Sequence, residues 1–253
     1  MRTPSYLFAI VVFFIGIFSF VSSGLARDLE SNVIVLMDFS NSYFTPDRVK
    51  KEIPRNINTL AGLIASKADG PKKPSLIQVL PIHSKSETSG AVCEFRIQRK
   101  KLVGRKDKDC GAVDEDFCSD SIEEFESYLK EDCVERIVKN KVDDQTDISG
   151  ALALASQLGL SQTDKAKYLV IFSDMMEYRT ADNPFSKIDL SGFNILVVCG
   201  GFINNEDNTP KLCMNEQEDW RARFEGLGAQ KVYYVNERGR WTSKIGKEFF
   251  END

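Results

Sequence analysis

The chain has 253 residues, 42% hydrophobic and 28% charged, which is enough apolar material for a sizeable core and excludes global disorder. Its formal net charge of −5 argues against a dedicated nucleic-acid binder, which carries a basic excess. The single histidine, His83, excludes a His-rich zinc site and leaves any Ser-His-Asp triad only that residue to build on.

The chain opens with Arg2, an apolar run from Leu7 to Val21, and then Ser22-Ser23-Gly24-Leu25-Ala26. A charged start, an apolar middle and small residues at Gly24 and Ala26 predict a secretory signal peptide over residues 1–26, cut after Ala26. The run is short for a spanning helix, which wants about 20 apolar residues. One domain is expected over residues 27–253, exported to the periplasm or secreted, with no transmembrane segment left after cleavage. All six cysteines follow the cut, in a compartment where they tend to pair.

Val33 to Met37 is an unbroken apolar run ending at Asp38, the pattern of a central strand covered on both faces. Thr45-Pro46 reads as a helix start, with Val49, Ile53, Ile57, Leu60 and Ile64 at helical spacing and Pro54 kinking it. Leu76 to Ile82 is a second strand, and His83 reads as a strand-end residue. The alternation of Cys93, Phe95 and Ile97 with polar residues over 91–98 predicts an antiparallel strand at the sheet edge. Residues 99–120, basic and then acidic, read as a solvated surface insertion. Ser121 to Glu124 is a capping box, followed by a helix with Phe125, Leu129, Cys133 and Ile137 on one face. Ile148, Leu152 and Ala155 mark another helix, closed by Gly159. Strands follow at Tyr168–Phe172, Phe193–Val198 and Val232–Val235. Between and after them lie a helix carrying Trp220 and Phe224 and a terminal helix carrying Ile245 and Phe249. The alternation predicts a doubly wound α/β fold: a mostly parallel sheet, one antiparallel edge strand and helices on both faces.

In open parallel sheets, ligand sites form beyond the carboxyl ends of the strands. The first strand is followed there by Asp38-Phe39-Ser40-Asn41-Ser42, and a later one ends in Ser173-Asp174. Gln145-Thr146-Asp147 opens the helix between them. Of these, two carboxylates (Asp38, Asp174) and three hydroxyls (Ser40, Ser42, Thr146) form a set of hard oxygen donors, suited to Mg²⁺, Mn²⁺ or Ca²⁺ rather than zinc or copper. Each alone is an ordinary cap or turn residue, and Asp147 suits the first turn of its own helix.

Asp38-x-Ser40-x-Ser42 after an apolar strand, Thr146 opening a helix and Asp174 ending a strand resemble the von Willebrand factor type A domain and its metal-ion-dependent adhesion site. The resemblance follows the order of elements over roughly residues 31–250 as a match to the parallel α/β pattern. It implies that Ser40, Ser42 and Thr146 offer hydroxyls to the metal, and that Asp38 and Asp174 hold it directly or through water. It further implies a non-enzymatic interaction module whose metal captures an Asp or Glu carboxylate of a protein partner, with no nucleic acid involved. Three departures stand out. Met175 occupies the place of a usual Gly, Gln145 stands where Gly often does, and the 99–120 insertion is large. Asn41, Tyr43 and the Met175–Arg179 loop follow the same strand ends and are expected at the ligand rim.

The alternatives are a metal-dependent phosphohydrolase and an envelope scaffold with a vestigial metal site. The haloacid dehalogenase pattern needs a second Asp where Ser40 stands, and no Walker-type loop occurs. Among the cysteines, Cys199 with Cys213 and Cys110 with Cys118 are expected to bridge. Cys93 and Cys133 either bridge or remain buried thiols.

Overall fold

Among the described residues, seven strands form one sheet in the order β4-β3-β2-β1-β5-β6-β7. The computed structural model describes residues 31–45, 48–49, 51–66, 75–97, 118–119, 127, 129–140, 143–160, 166–177, 187–200, 213–236 and 248–250. The strands are β1 (Ser31–Asp38), β2 (Ser75–Ile82), β3 (Cys93–Ile97), β4 (Cys118–Ser119), β5 (Ala166–Ser173), β6 (Phe193–Cys199) and β7 (Lys231–Asn236). The helices are α1 (Glu52–Ser66), α2 (Val134–Val138, continuing a π-turn over Leu129–Cys133), α3 (Ile148–Leu160) and α4 (Gln217–Gly226). The signal-peptide segment, the capping box, Ile245 and most of the charged insertion lie outside the described residues.

Strands β2, β1, β5, β6 and β7 run parallel and β3 runs antiparallel to β2, as expected. The two-residue β4 adds one feature not anticipated. It comes from the insertion and pairs outside β3, parallel to it, with Arg96 opposite Cys118.

The continuous apolar runs form central strands because both faces are covered. Along β1, Val33, Val35 and Met37 face one core, while Ile34 and Leu36 face the other. The first core is closed by Ile53, Ile57, Leu60 and Leu63 of α1, by Ile137 of α2, and by Phe249 and Phe250. The second is closed by Ile148, Leu152 and Ala155 of α3 and by Trp220 and Phe224 of α4. Each such side chain taken from water contributes roughly 1.5–3 kcal/mol.

Two local expectations change. Helix α1 begins at Glu52, so Pro54 sits in its first turn and does not kink an interior. A proline N–H is not missed there, because first-turn N–H groups have no partner within the helix. Gly159 lies within the last turn of α3 and does not follow it. Its role is close approach: a Cβ at this position would lie 2.3 Å from the ring of Phe193, which is buried in the same core. Helix propensity alone favours Gly159→Ala by about 1 kcal/mol. The clash is expected to outweigh it, leaving a net loss of about 1–2 kcal/mol. A lower urea midpoint with unchanged slope checks this.

Two disulfides join described residues. Cys93 of β3 pairs with Cys133 at the start of α2, and Cys199 at the end of β6 pairs with Cys213 just before α4. The second is the expected bridge, and the first settles a pair left open by the sequence. Cys110 lies outside the described residues. Disulfides are the chemistry of an oxidising compartment. Among the described residues no helix is long and apolar enough to cross a membrane.

Candidate metal centre

The sheet order creates a crevice. From β1 the chain passes through α1 to β2 on one side, then returns through α3 to β5 on the other. The loops leaving β1 and β5 therefore diverge at neighbouring strand ends, the position where open α/β sheets bind ligands.

Asp38 and Asp174 end these two strands and both are 0% exposed. Burying an ionised carboxylate costs several kcal/mol unless hydrogen bonds or opposite charge offset it, so neither reads as an incidental cap. Asp38 is well held. Its Oδ1 accepts the Ser40 N–H at 2.8 Å, and its Oδ2 accepts the Ser173 hydroxyl at 2.6 Å. That first bond turns the chain so that the Ser40 and Ser42 hydroxyl oxygens lie 3.0 Å apart. The turn is closed by the Tyr43 and Phe44 N–H groups, which both donate to the Ser40 carbonyl.

Asp174 is held less completely. Its Oδ1 accepts the Met176 N–H at 3.0 Å, while its Oδ2 is buried without a hydrogen-bond partner. Such an orphaned acceptor costs about 1–3 kcal/mol or more when charged.

The loop over 143–147 is zipped onto the loop after β1. Asp143 N–H donates to the Phe39 carbonyl at 3.0 Å, and Asn41 N–H donates to the Asp143 carbonyl at 3.1 Å. The Asn41 amide also donates to the Asp144 carboxylate. Beyond Thr146, the backbone and hydroxyl of Ser149 both donate to Glu177, three residues past Asp174. Thr146 is buried between these two ties and so is carried to the same sheet edge. Asp147 caps its own helix as expected, its Oδ1 accepting the Gly150 N–H at 2.8 Å.

The electrostatics follow from this burial. The Asp38 carboxyl is raised from 3.8 to about 7, first by loss of water and then by the charge of Asp174, against the pull of Ser173 and Ser40. Asp174 is raised too, by burial, while Ser42, the Met176 N–H and the Arg48 guanidinium oppose the rise. Arg48 is itself buried, its guanidinium carbon 4.0 Å from the centre of the Tyr43 ring. Among the described residues no three His, Cys, Asp or Glu side chains gather as a metal cluster. The set here is two carboxylates with hydroxyls, and it fits a hard cation: positive charge would satisfy the orphaned oxygen and relieve the carboxylate repulsion together.

Two rim expectations are corrected. Tyr43 and Met175 are buried, because the Tyr43 ring packs into the core under Arg48 and Met175 turns inward into the α3–α4 core. Asn41 and Met176 are exposed at the rim. Tyr178 and Arg179 lie outside the described residues.

Met175 explains the departure from a usual Gly. Its φ is +59°, left-handed backbone that costs an ordinary residue about 1–2 kcal/mol. Three attachments hold it there. Its side chain is buried, its N–H donates to the Ser173 hydroxyl at 2.9 Å, and its carbonyl accepts the Trp220 indole N–H at 3.2 Å. Ser173, Arg48 and Trp220 had no expected role at the site, and Glu177 was expected there only as part of the Met175–Arg179 rim loop. Ser173 had a signal, being a hydroxyl directly before a strand-end Asp, whereas the other three act through contacts between distant segments.

No protein-family model and no curated protein matches the sequence. Solved structures with a similar fold include the manganese-loaded TRAP protein of Plasmodium vivax, 13% identical, covering 88% of this chain and 74% of that one, with TM-score 0.49. A point mutant of the PilB minor pilin of Streptococcus sanguinis is 12% identical, covering 90% of this chain and 63% of that one, with TM-score 0.49. A von Willebrand factor type A protein from Catenulispora acidiphila is 12% identical with TM-score 0.47. The chain spans less than half of the Catenulispora protein (42%) and of the mussel byssus proximal thread matrix protein 1 (48%). These likenesses concern the course of the chain, so any reading of the crevice rests on its own residues.

Proposed function

We propose that the chain is an exported, von Willebrand factor type A-like binding module. It would hold Mg²⁺, or Mn²⁺ or Ca²⁺ in its place, in the crevice between β1 and β5, and so capture an Asp or Glu side chain of a protein partner. The observation that carries this reading is the buried, partnerless Asp174 Oδ2 beside a second buried carboxylate. Export rests on the residue 1–26 leader read from the sequence, which lies outside the described residues, and on the two disulfides.

Asp174, Ser40, Ser42 and Thr146 would hold the ion. Asp38 would support it from behind, since both of its oxygens already accept hydrogen bonds. When bound, the ion supplies a Lewis-acidic position for an external oxygen anion. One direct carboxylate among neutral hydroxyls leaves net positive charge to attract that anion. Glu177 and Asn41 fix the loop carrying Thr146, so the hydroxyls are positioned before a partner arrives. A single carboxylate contact must also offset displaced water and lost side-chain freedom, so the exposed rim, Asn41 and Met176, adds contact area.

Arg48 favours a second reading. A buried guanidinium that already favours ionised Asp174 is an internal counter-charge, as a scaffold with a vestigial metal site would need. Titration calorimetry with Mg²⁺ separates the two. The binding module takes up one ion per chain, and chelator releases a protein captured from native envelope or medium. Thr146→Ala is expected to weaken that capture about tenfold with unchanged circular dichroism, since it removes one hydroxyl that would hold the ion. No heat on adding Mg²⁺, together with chelator-insensitive capture, would overturn the metal-bridged reading in favour of the scaffold.

A further inference from the structure

We infer that Trp220 is a positioning residue of the candidate metal centre: its indole N–H, donated to the Met175 carbonyl, locks the left-handed turn that aims the free Asp174 oxygen into the crevice. The inference rests on the metal reading above and extends it to a residue 46 positions downstream of Asp174, on α4.

The turn is built from one carboxylate and two backbone amides. Asp174 Oδ1 accepts the Met176 N–H, so the direction of the Asp174 side chain follows the peptide plane after Met175. That plane depends on Met175 keeping φ at +59°, a region that L side chains rarely adopt. The Ser173 hydroxyl accepts the Met175 N–H on one side of the residue, and Trp220 donates to its carbonyl on the other. Trp220 can serve as a fixed post. It is 3% exposed, stacks at 5.7 Å on Phe224, and carries the Arg223 guanidinium 4.8 Å from its ring centre. A glycine after Asp174 would adopt the same turn without help. With methionine there, the clamp supplies what the backbone does not prefer.

The test uses the oxidised domain and Mg²⁺ alone. Trp220→Phe keeps an aromatic ring in the core and removes the N–H together with part of the indole's volume, a packing loss that the second background below controls for. We expect its Mg²⁺ affinity to fall about tenfold, the scale of supporting contacts around metal ligands. Exchange of the Met176 amide with solvent should quicken by about the same factor, because its acceptor is no longer held in place. The decisive arm is Met175→Gly. In that background, where the turn is free of strain, Trp220→Phe should change Mg²⁺ affinity less than about twofold. A merely structural tryptophan would weaken both backgrounds alike. If the wild type binds Mg²⁺ and Trp220→Phe binds equally well, or if Met176 exchange does not change, the clamp is wrong while the metal reading stands. If the wild type takes up no Mg²⁺, the metal reading falls and the positioning role with it.

Discussion

Asp38→Asn is expected to stabilise the metal-free domain at neutral pH and to cost it Mg²⁺ affinity. The carboxyl of Asp38 is raised from 3.8 to about 7 in the folded state. Between those values the native state keeps a proton that the unfolded chain has released, so stability falls as pH rises. The contribution is fully present below about pH 4 and is lost by about pH 7. That rise corresponds to a loss of about 4 kcal/mol. Asparagine is nearly the same shape, can still accept the Ser40 N–H, and carries no charge to bury. The difference in stability between wild type and variant, measured in chelator from pH 4 to 8, should therefore grow by that amount. Carboxylates other than its charged neighbour Asp174 cancel in the comparison. It should appear as a melting temperature about 8–16 °C higher for the variant at pH 7.5. Added Mg²⁺ should reverse the order, because it binds the ionised wild type and leaves the variant's melting point where it was. Stability curves of wild type and variant that run parallel across this window would mean that Asp38 carries no raised proton affinity.

The same residues show where a sequence speaks and where it stops. The strands β1, β5 and β6 were legible because burial on both faces forces continuous apolar runs, and no other local structure of that length needs them. Asp147 was legible because capping is settled within three residues. Asp38 and Asp174 were legible as strand-end carboxylates, and the parallel topology that brings their ends together followed from the alternation of strands and helices. Direction of side chains was not legible. Tyr43 sits two residues from Asn41 in one turn, yet one ring enters the core and the other side chain stays at the rim. The choice is made by Arg48, which lies over the ring, and by the first core that the ring enters. Pro54 and Gly159 misled for a related reason, since the meaning of each depends on where its helix begins or ends. Trp220 reads as an ordinary core residue of a helix, because its bond to Met175 joins segments that no short-range pattern connects. Met175 itself was visible as a departure, but the backbone conformation it keeps was not.

Loss of both described disulfides is expected to bring the domain close to unfolding at room temperature. Constraint of the unfolded chain grows with the logarithm of the loop closed. The Cys199–Cys213 bridge spans 14 positions and the Cys93–Cys133 bridge spans 40. In the chain-entropy account these are worth about 3 and about 4 kcal/mol. Their sum is comparable to the roughly 5–15 kcal/mol that holds a typical domain folded. The longer loop should matter more, although the shorter one lies nearer the crevice. Cys93–Cys133 also ties β3 to α2, joining the antiparallel side of the sheet to the first core. Without the tie, β3 keeps only its pairing with β2 and with the two-residue β4, a weak edge. Urea unfolding of the paired Cys→Ser variants checks the order. The Cys93/Cys133 variant should lose at least as much stability as the Cys199/Cys213 variant, and the quadruple variant should lose close to the sum, because the two bridges share no partner. A quadruple variant as stable as the wild type would mean that the core alone holds the sheet together.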